Sequence, residues 1–298
     1  MSKIQEQKLS SHRIKMSIET TSVRTSFNST QVANNNFPSR SKPHAGEDER
    51  SPYLVKRLLE SEEKNLFSHV KFNLVKSQIE SLGKKNPKIL DVGCGLQVAK
   101  RYLTDLGLSF DYTGVDYESK FSPDAVVDLN NALDISATLP WEPDVVLVLD
   151  VLEHLHEDIV SLDNVVANLA NSLPTTCTAI ITLPQMYRLD RFKPRHLHYP
   201  EHKIRLTQKE WRGILANHFD ISYTQGLGYL SVLPYLVMAS KRYKPDNRLG
   251  KTFNYLRGDL FEFGPFKPID LMLSNTLGKF GPFKHISNDI LFVATPKR

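Results

Sequence analysis

The sequence is poor in cysteine and has no long apolar run. Its 298 residues include only two cysteines, Cys94 and Cys177, and each lies in an apolar segment typical of a buried strand. Buried thiols without further cysteines favour a reducing compartment, so we expect a cytoplasmic protein. No uninterrupted apolar run approaches the ~20 residues that span a bilayer. Residues 1–50 also lack the apolar segment of a secretory signal.

Positive charge is not gathered in one part of the sequence. The net charge is +3 in residues 1–50, −4 in residues 51–240 and +6 in residues 241–298, which gives +5 overall. A dedicated nucleic-acid-binding domain concentrates Lys and Arg on one surface, so this distribution argues against nucleic acid as the partner. The basic, partly apolar C-terminal region is a candidate for peripheral membrane contact, with solvated loop charge as the simpler interpretation.

The composition divides the chain near residue 50. Residues 1–50 are rich in Ser, Thr, Asn and Lys and show no apolar period, which predicts a disordered N-terminal tail. Ordered structure is expected to begin near Ser51-Pro52, with amphipathic helices as far as Gly83. Residues 51–298 are then predicted to form one domain.

Short apolar strands alternate with helices after residue 83. This alternation predicts an α/β fold with a mostly parallel sheet. Only eight residues separate Asp116 from Ala125, fewer than a helical crossover requires, so either that helix is missing or the third strand lies elsewhere. The predicted strands are Lys88–Val92, Phe110–Val115, Ala125–Val127, Asp144–Leu149, Cys177–Leu183, Phe219–Tyr223 and Ile290–Ala294.

A glycine bend follows the first predicted strand. Gly93 and Gly95 stand where ligands of open parallel sheets bind, and glycine lets the backbone approach a ligand closely. Asp116 ends the second strand, where a carboxylate can accept hydrogen bonds from both hydroxyls of a ribose. A dinucleotide fingerprint would place a third glycine at Val98, so NAD and FAD are disfavoured. The pattern therefore predicts a nucleoside site.

Simpler interpretations of the same residues remain open. The glycines are compatible with a plain strand-to-helix turn, and Asp116 with a helix cap. Asp128, at the end of the third predicted strand, is as consistent with a turn as with a ligand contact. Cys94 has no basic neighbour in sequence, which favours a small buried residue over a nucleophile.

The segment Leu90–Gly95 resembles motif I of the class I methyltransferases that depend on S-adenosylmethionine (SAM). The resemblance implies a Rossmann-like, open, mostly parallel seven-stranded sheet, with helices on both faces and a final antiparallel strand. It implies SAM as the cofactor. It covers residues 51–240 and about the last ten residues. Further segments similar to the family are Gly114–Asp116, Leu139–Trp141, Asp144–Leu155, Thr182–Gln185 and Asp289–Ala294.

The resemblance also implies which residues hold SAM. Gly93 and Gly95 would lie under its methionine part, and Asp91 would orient the amino group. Asp116 would hold the ribose. Gln97 departs from the family pattern, because it replaces the third glycine of the motif. The implied cofactor-binding residues are Asp91, Gly93, Cys94, Gly95, Asp116 and Tyr117, then Asp128 and Leu129 beside adenine, and Leu149 and Asp150 beside the methionyl group.

The candidate catalytic residues are histidines. An acceptor hydroxyl must lose a proton during methyl transfer, so a general base is one expected component. His154 follows the fourth predicted strand, and His196, His198 and His202 follow the fifth. Structural or substrate-contacting histidines are the simpler interpretation. The spacing of His196, His198, Glu201 and His202 does not match a recognised zinc-binding pattern, so no metal site is expected.

The resemblance favours a methyltransferase that acts on an O or N atom of a small molecule, such as a natural product, a sugar or a lipid-linked acceptor. The alternatives are an RNA or protein methyltransferase and a non-catalytic scaffold. Residues 225–288 form an expected insertion on the substrate side. The apolar stretch from Gly226 to Leu236 would line the acceptor pocket, contact a membrane or, most simply, pack in the core.

Overall fold

A computed structural model describes residues 66–131, 139, 141–185, 202–231, 247–248, 250–252 and 265–298. The predicted tail at residues 1–50, the expected helix start near Ser51 and three predicted residues of the histidine segment, His196, His198 and Glu201, lie outside these ranges. Among the described helices, none is long and apolar enough to cross a membrane.

Seven strands are described: β1 Lys88–Val92, β2 Asp111–Asp116, β3 Ala125–Val126, β4 Val145–Leu149, β5 Thr178–Pro184, β6 Phe219–Leu227 and β7 Asp289–Pro296. They form one sheet in the order β3-β2-β1-β4-β5-β7-β6. β1 is parallel to β2 and β4, whereas β7 is antiparallel to β5 and β6. The predicted fold class, with its final antiparallel strand, is confirmed.

Six helices with both ends in the described residues are α1 Leu66–Glu80, α2 Val98–Asp105, α3 Ile159–Ser172, α4 Gln208–His218, α5 Phe266–Thr276 and α6 Gly281–Lys284, and 3-10 turns occupy Ser119–Phe121, Leu152–His154 and Leu277–Lys279. Local capping accounts for where two of the helices begin. The Asp158 carboxylate accepts a hydrogen bond from the Ser161 amide before α3, and Thr207 and Glu210 form the predicted capping box before α4.

Helices cover both faces of the sheet. Alternate residues of β4 point to opposite faces, as the pleat of a strand requires. Val145 and Leu147 belong to a buried cluster with α1 and α2. Val146 and Val148 belong to a second cluster with α3 and α4. Burial on both faces explains why β4 is an uninterrupted apolar run rather than an alternating one.

The short link between β2 and β3 lacks a helical crossover. A single 3-10 turn, Ser119–Phe121, replaces the helix. The Asp124 carboxylate accepts a hydrogen bond from the Gly114 amide at 2.7 Å, and β3 still pairs in parallel with β2. Of the two possibilities that the sequence left open, the helix is missing and the third strand lies next to the second.

β6 is longer than the sequence predicted, because it continues through polar Gln225 to Leu227. The Gln225 side chain is buried and donates to the Ser274 carbonyl at 2.8 Å. Beyond the strand, the Asp270 carboxylate accepts backbone hydrogen bonds from Tyr229 and Leu230 at 2.7 and 2.9 Å. The described beginning of residues 225–288 is therefore packed against α5, as the simplest interpretation of its apolar stretch required.

Candidate functional site

The glycine bend is held between β1 and the end of β2. The amides of Gly93 and Cys94 both donate to the Val115 carbonyl, at 2.8 and 3.1 Å. Gly93 and Gly95 have φ angles of 72° and 49°, in the left-handed region that favours glycine. A Cβ on Gly93 would also lie 2.5 Å from a methyl carbon of Val151. Both backbone conformation and close packing therefore require glycine at residue 93.

Asp116 lies against this bend. Its Oδ2 accepts a hydrogen bond from the Gly95 amide at 2.8 Å, and its Oδ1 accepts one from the Glu118 amide at 3.0 Å. The residue is only 6% exposed. Glu118 occupies the N-cap of the following 3-10 turn, so Asp116 is not the cap there. The predicted proximity of the second-strand acid and the glycine bend is thus present in the structure.

Asp91 is buried beneath the bend and pairs with a residue that the sequence did not single out. The hydroxyl of Tyr112 donates to Asp91 Oδ2 at 2.7 Å. Burial raises the pKa of Asp91 to about 6; the Tyr112 hydrogen bond opposes the rise and the nearby Asp116 adds to it. Gly114 leaves room for this arrangement, because a Cβ there would lie 2.9 Å from the Tyr112 oxygen.

Asp150 directly follows β4 in a strained conformation, and two side chains contact its carboxylate. Its φ angle is 57°, unusual for a residue with a side chain. The Lys71 ammonium lies 2.7 Å from its Oδ2, and the Thr182 hydroxyl donates to its Oδ1 at 2.7 Å. The Lys71 side chain is 2% exposed and lies 5.2 Å from the centre of the Phe67 ring. Lys71 was not predicted from the sequence. The one feature that points to it is the position of a charged residue between apolar Val70 and Phe72.

The residues implied for the adenine side are close in sequence to Asp116. Tyr117 follows it directly and is 64% exposed. Asp128 accepts a hydrogen bond from the Asn130 amide at 2.9 Å, which supports its interpretation as a turn-forming aspartate. Leu129 is buried. A contact of Asp128 and Leu129 with adenine, and of Tyr117 with the cofactor, remains a prediction.

Two of the candidate histidines lie together. The His154 and His202 rings are perpendicular, with centres 4.9 Å apart. Their Nε2 atoms lie 3.6 and 3.9 Å from Glu153 Oε1. Glu153 has no exposed side-chain surface, and neither carboxylate oxygen has a hydrogen-bond partner among the described residues. The third candidate catalytic residue, His198, lies outside the described residues.

Burial shifts the pKa values in this group. It raises the pKa of Glu153 well above the usual range, and the neighbouring Asp150 carboxylate adds to the rise. It lowers the pKa of His202 to about 4, with a further contribution from His154. His202 is therefore neutral near pH 7, and it is a weak base.

The strand order now decides the fold. β7 lies antiparallel between β5 and β6, while the other strands are parallel, which is the arrangement that motif I implied. This is the Rossmann-like fold that the resemblance to the class I methyltransferases implied. No model of a known protein family matches the chain, and no curated protein does either.

Solved structures with a similar fold share little sequence with this chain. A putative sarcosine dimethylglycine methyltransferase from Galdieria sulphuraria is 13% identical with a TM-score of 0.47, covering 82% of this chain and 96% of that one. A SAM-dependent methyltransferase from Archaeoglobus fulgidus is 18% identical with a TM-score of 0.43, covering 76% and 94%. The cyclase SpnF is 14% identical with a TM-score of 0.45, covering 76% and 81%. Likenesses this weak carry no information about the reaction.

The thiols of both cysteines are buried and unreactive in the candidate site and its surroundings. Cys94 lies within the bend but is buried, and burial together with Asp91 raises the pKa of its thiol. Burial also raises the pKa of Cys177 to about 12. Neither thiol is therefore an activated nucleophile, in agreement with the interpretation of Cys94 as a small buried residue.

A separate cleft of about 610 Å³ lies on α4 and β6. It shares no residue with the glycine bend, Asp116, Asp150 or the histidine pair. Its lining is basic, and the buried Oε1 of Gln208 has no hydrogen-bond partner among the described residues. The residues that line it are Gln208, Lys209, Arg212, Ile221, Ser222, Tyr223, Thr224, Lys279, Gly281, Lys284 and His285.

Proposed function

We propose that this protein binds SAM and transfers its methyl group to an oxygen or nitrogen atom of a small-molecule acceptor. The observation that carries the proposal is the contact between Asp116 and the glycine bend, at 2.8 Å from the Gly95 amide. A carboxylate beside an open glycine turn, beyond the carboxyl ends of parallel strands, suits a ribose and the chain attached to it.

The methionine part of SAM would lie over Gly93 and Gly95, between two carboxylates. Asp91 would face the ammonium group of SAM, and its burial makes it responsive to a nearby positive charge. Asp150 would flank the methionyl group together with Leu149, and the Lys71 ion pair fixes its carboxylate. Space at Gly95 supports this placement, because a Cβ there would meet no described atom within 4 Å.

The adenosine part would extend towards the end of β2. Asp116 would accept hydrogen bonds from the ribose hydroxyls. The exposed ring of Tyr117 offers a surface on which adenine can stack, with Asp128 and Leu129 at its edge. Cys94 would contribute its backbone rather than its thiol.

The reaction would be an in-line displacement at the methyl carbon. The acceptor lone pair forms the new bond, the bond from carbon to sulfur breaks, and its electron pair remains on sulfur as S-adenosylhomocysteine. An acceptor hydroxyl must also lose its proton. His154, His198 and His202 stay candidate bases predicted from the sequence, although burial lowers the pKa of His202 to about 4 and makes it a poor base.

Peripheral membrane contact is a second proposal, and it concerns the C-terminal region. Three of its exposed large apolar side chains lie close together in sequence, with Phe280 at 62%, Phe283 at 43% and Ile286 at 51%. Lys279 and Lys284 lie next to them in sequence. Exposed apolar groups among lysines support contact with an anionic lipid surface, on which a lipid-linked acceptor would be found.

Binding of S-adenosylhomocysteine to the full chain tests the cofactor assignment. Calorimetry should show one site. Gly95→Ala should weaken it about tenfold, since the added methyl group occupies the proposed ligand space. Gly107→Ala is the matched control, because Gly107 also has a positive φ and open space around it. Equal affinities for the two variants, or no binding to the unmodified chain, would refute the assignment.

Transfer of a labelled methyl group tests the acceptor class. Purified protein and labelled SAM would be incubated with separate small-molecule, RNA and protein fractions from cells. Label in the small-molecule fraction is the expected result. Label in RNA or protein would instead support the alternative methyltransferases, and binding without any transfer would leave the non-catalytic scaffold.

A further inference from the structure

We propose that Glu153, His154 and His202 bind a divalent transition-metal ion beside the proposed SAM site. These three residues are called the metal cluster below. No metal site is expected from the sequence, because the histidines and the glutamate within residues 196–202 do not match a recognised zinc spacing. Metal binding itself does not require SAM, whereas the role given to the metal below rests on the proposed function.

The first observation is the state of the Glu153 carboxylate. The side chain is fully buried, and neither oxygen has a hydrogen-bond partner within the described residues. An ionised carboxylate without donors is strongly unfavourable when buried, unless it takes up a proton or a cation compensates its charge. Lys71 does not fill this role, because its ammonium contacts Asp150 at 2.7 Å. A bound cation would satisfy Glu153.

The second observation is the spacing of the ligand atoms. Each of the three side chains offers one ligand atom, and these three atoms lie within 4.8 Å of one another. The two imidazole Nε2 atoms lie 3.6 and 3.9 Å from Glu153 Oε1. These distances are too long for hydrogen bonds. Ligand atoms that each lie about 2.1 Å from one ion are separated by roughly 3 to 4 Å, so the cluster needs little adjustment.

The backbone holds the two halves of the metal cluster together. The Glu153 carbonyl accepts hydrogen bonds from the amides of Lys203 and Ile204, at 2.8 and 3.2 Å. These contacts fix the segment that carries His202 against the 3-10 turn Leu152–His154. Backbone hydrogen bonds between two distant segments therefore hold the three residues close together.

The ligand set indicates the class of metal. Two imidazole nitrogens and one carboxylate suit Mn²⁺, Fe²⁺, Co²⁺ or Zn²⁺ better than Mg²⁺ or Ca²⁺, which prefer oxygen ligands. Three protein ligands leave coordination positions free. An acceptor hydroxyl bound there would release its proton to solvent more readily, because the cation stabilises the resulting oxyanion. That oxygen would then attack the methyl carbon, with sulfur keeping the electron pair of the broken bond.

Calorimetric titration of the chelator-treated full chain with Mn²⁺ and Zn²⁺ tests the proposal. We expect one site, and a rise in thermal midpoint when the metal is added. Glu153→Gln and His202→Asn should each weaken binding about 100-fold or more, since each removes a direct ligand. The control is His218→Asn, because His218 pairs with Asp163 at 3.1 Å outside the cluster. No binding, or equal binding by all variants, would overturn the metal site.

Two further measurements distinguish a missing metal site from a folding defect and from a wrong SAM assignment. Glu153→Gln replaces the buried carboxyl group with an uncharged group of similar shape, so its thermal midpoint without metal should equal or exceed that of the parent chain; if this variant fails to fold, His202→Asn supplies the test. S-adenosylhomocysteine should still bind the metal-free chain. If it does and metal does not, only the metal site fails; the reverse result would overturn the proposed cofactor and leave the metal site standing.

Discussion

The Lys71 ammonium lies 2.7 Å from the Asp150 carboxylate, and the lysine side chain is only 2% exposed. This ion pair joins α1 to the end of β4. It neutralises one of several carboxylates near the switch point of the sheet, where β1 separates β2 from β4. Helix α1 therefore contributes an electrostatic part of the candidate site as well as apolar packing.

Lys71→Met should lower the free energy of unfolding by about 3 to 5 kcal/mol, because it leaves the partly buried Asp150 charge without its counterion. Denaturant unfolding measures the loss. The control is Lys76→Met on the same helix: Lys76 pairs with Glu80 at 3.1 Å, but both side chains are more exposed. That pair should contribute less than about 1 kcal/mol. Similar losses for the two variants would show that Lys71 acts through packing alone.

Gly93→Ala should destabilise the chain more than Gly107→Ala. Both glycines have positive φ angles, 72° and 80°, so both variants incur a conformational cost of about 1 to 2 kcal/mol. A Cβ at residue 93 would also lie 2.5 Å from Val151, whereas one at residue 107 meets no described atom within 4 Å. Thermal unfolding of both variants isolates the cost of the contact, and equal midpoints would contradict it.

The sequence predicted the fold from local patterns that the structure retains. β1 has the predicted limits, and the strongly apolar β4 begins one residue later than predicted. The predicted strand Phe219–Tyr223 ends before Gln225 and Gly226, which break the apolar pattern. In the structure both residues are buried within β6, through contacts with α5 and the segment after it. Tertiary contact overrode local propensity in that strand.

Only those parts of the candidate site that belong to a sequence motif could be predicted. The glycine bend and Asp116 belong to neighbouring strands, so strand order was enough to bring them together. Lys71, Tyr112 and Glu153 gave no such signal, because their roles arise from partners distant in sequence. The pairing of His154 with His202 likewise depends on how the segment before α4 returns to the end of β4.

Asp116→Ala should weaken binding of S-adenosylhomocysteine roughly tenfold or more, because two ribose hydroxyls lose their acceptor. The variant also loses hydrogen bonds from Gly95 and Glu118, so calorimetry must be run well below its unfolding temperature. Asp124→Ala is the control. Its carboxylate holds the Gly114 amide at 2.7 Å in the same region but belongs to no proposed ligand contact. Its affinity should be unchanged, and unchanged affinity in Asp116→Ala would refute the ribose assignment.

Asp91 should make both stability and cofactor binding depend on pH. Its pKa is raised from 3.8 to about 6 in the folded chain, mainly by burial. The folded state therefore binds more protons than the unfolded state within that window. The contribution of Asp91 to stability is full below pH 3.8 and is lost as the pH rises through about 6. The difference in unfolding free energy between Asp91→Asn and the parent chain should change by about 2 to 3 kcal/mol over this window.

Cofactor binding should show the opposite dependence on pH, because the ammonium group of SAM favours ionised Asp91. Affinity for S-adenosylhomocysteine, which carries the same ammonium group, should fall as the pH drops below about 6, and binding near that pH should release a proton. Calorimetry in buffers of different ionisation enthalpy measures the released proton. In Asp91→Asn, both the proton release and the pH dependence should disappear. If the variant keeps them, another group titrates and Asp91 does not face the ammonium.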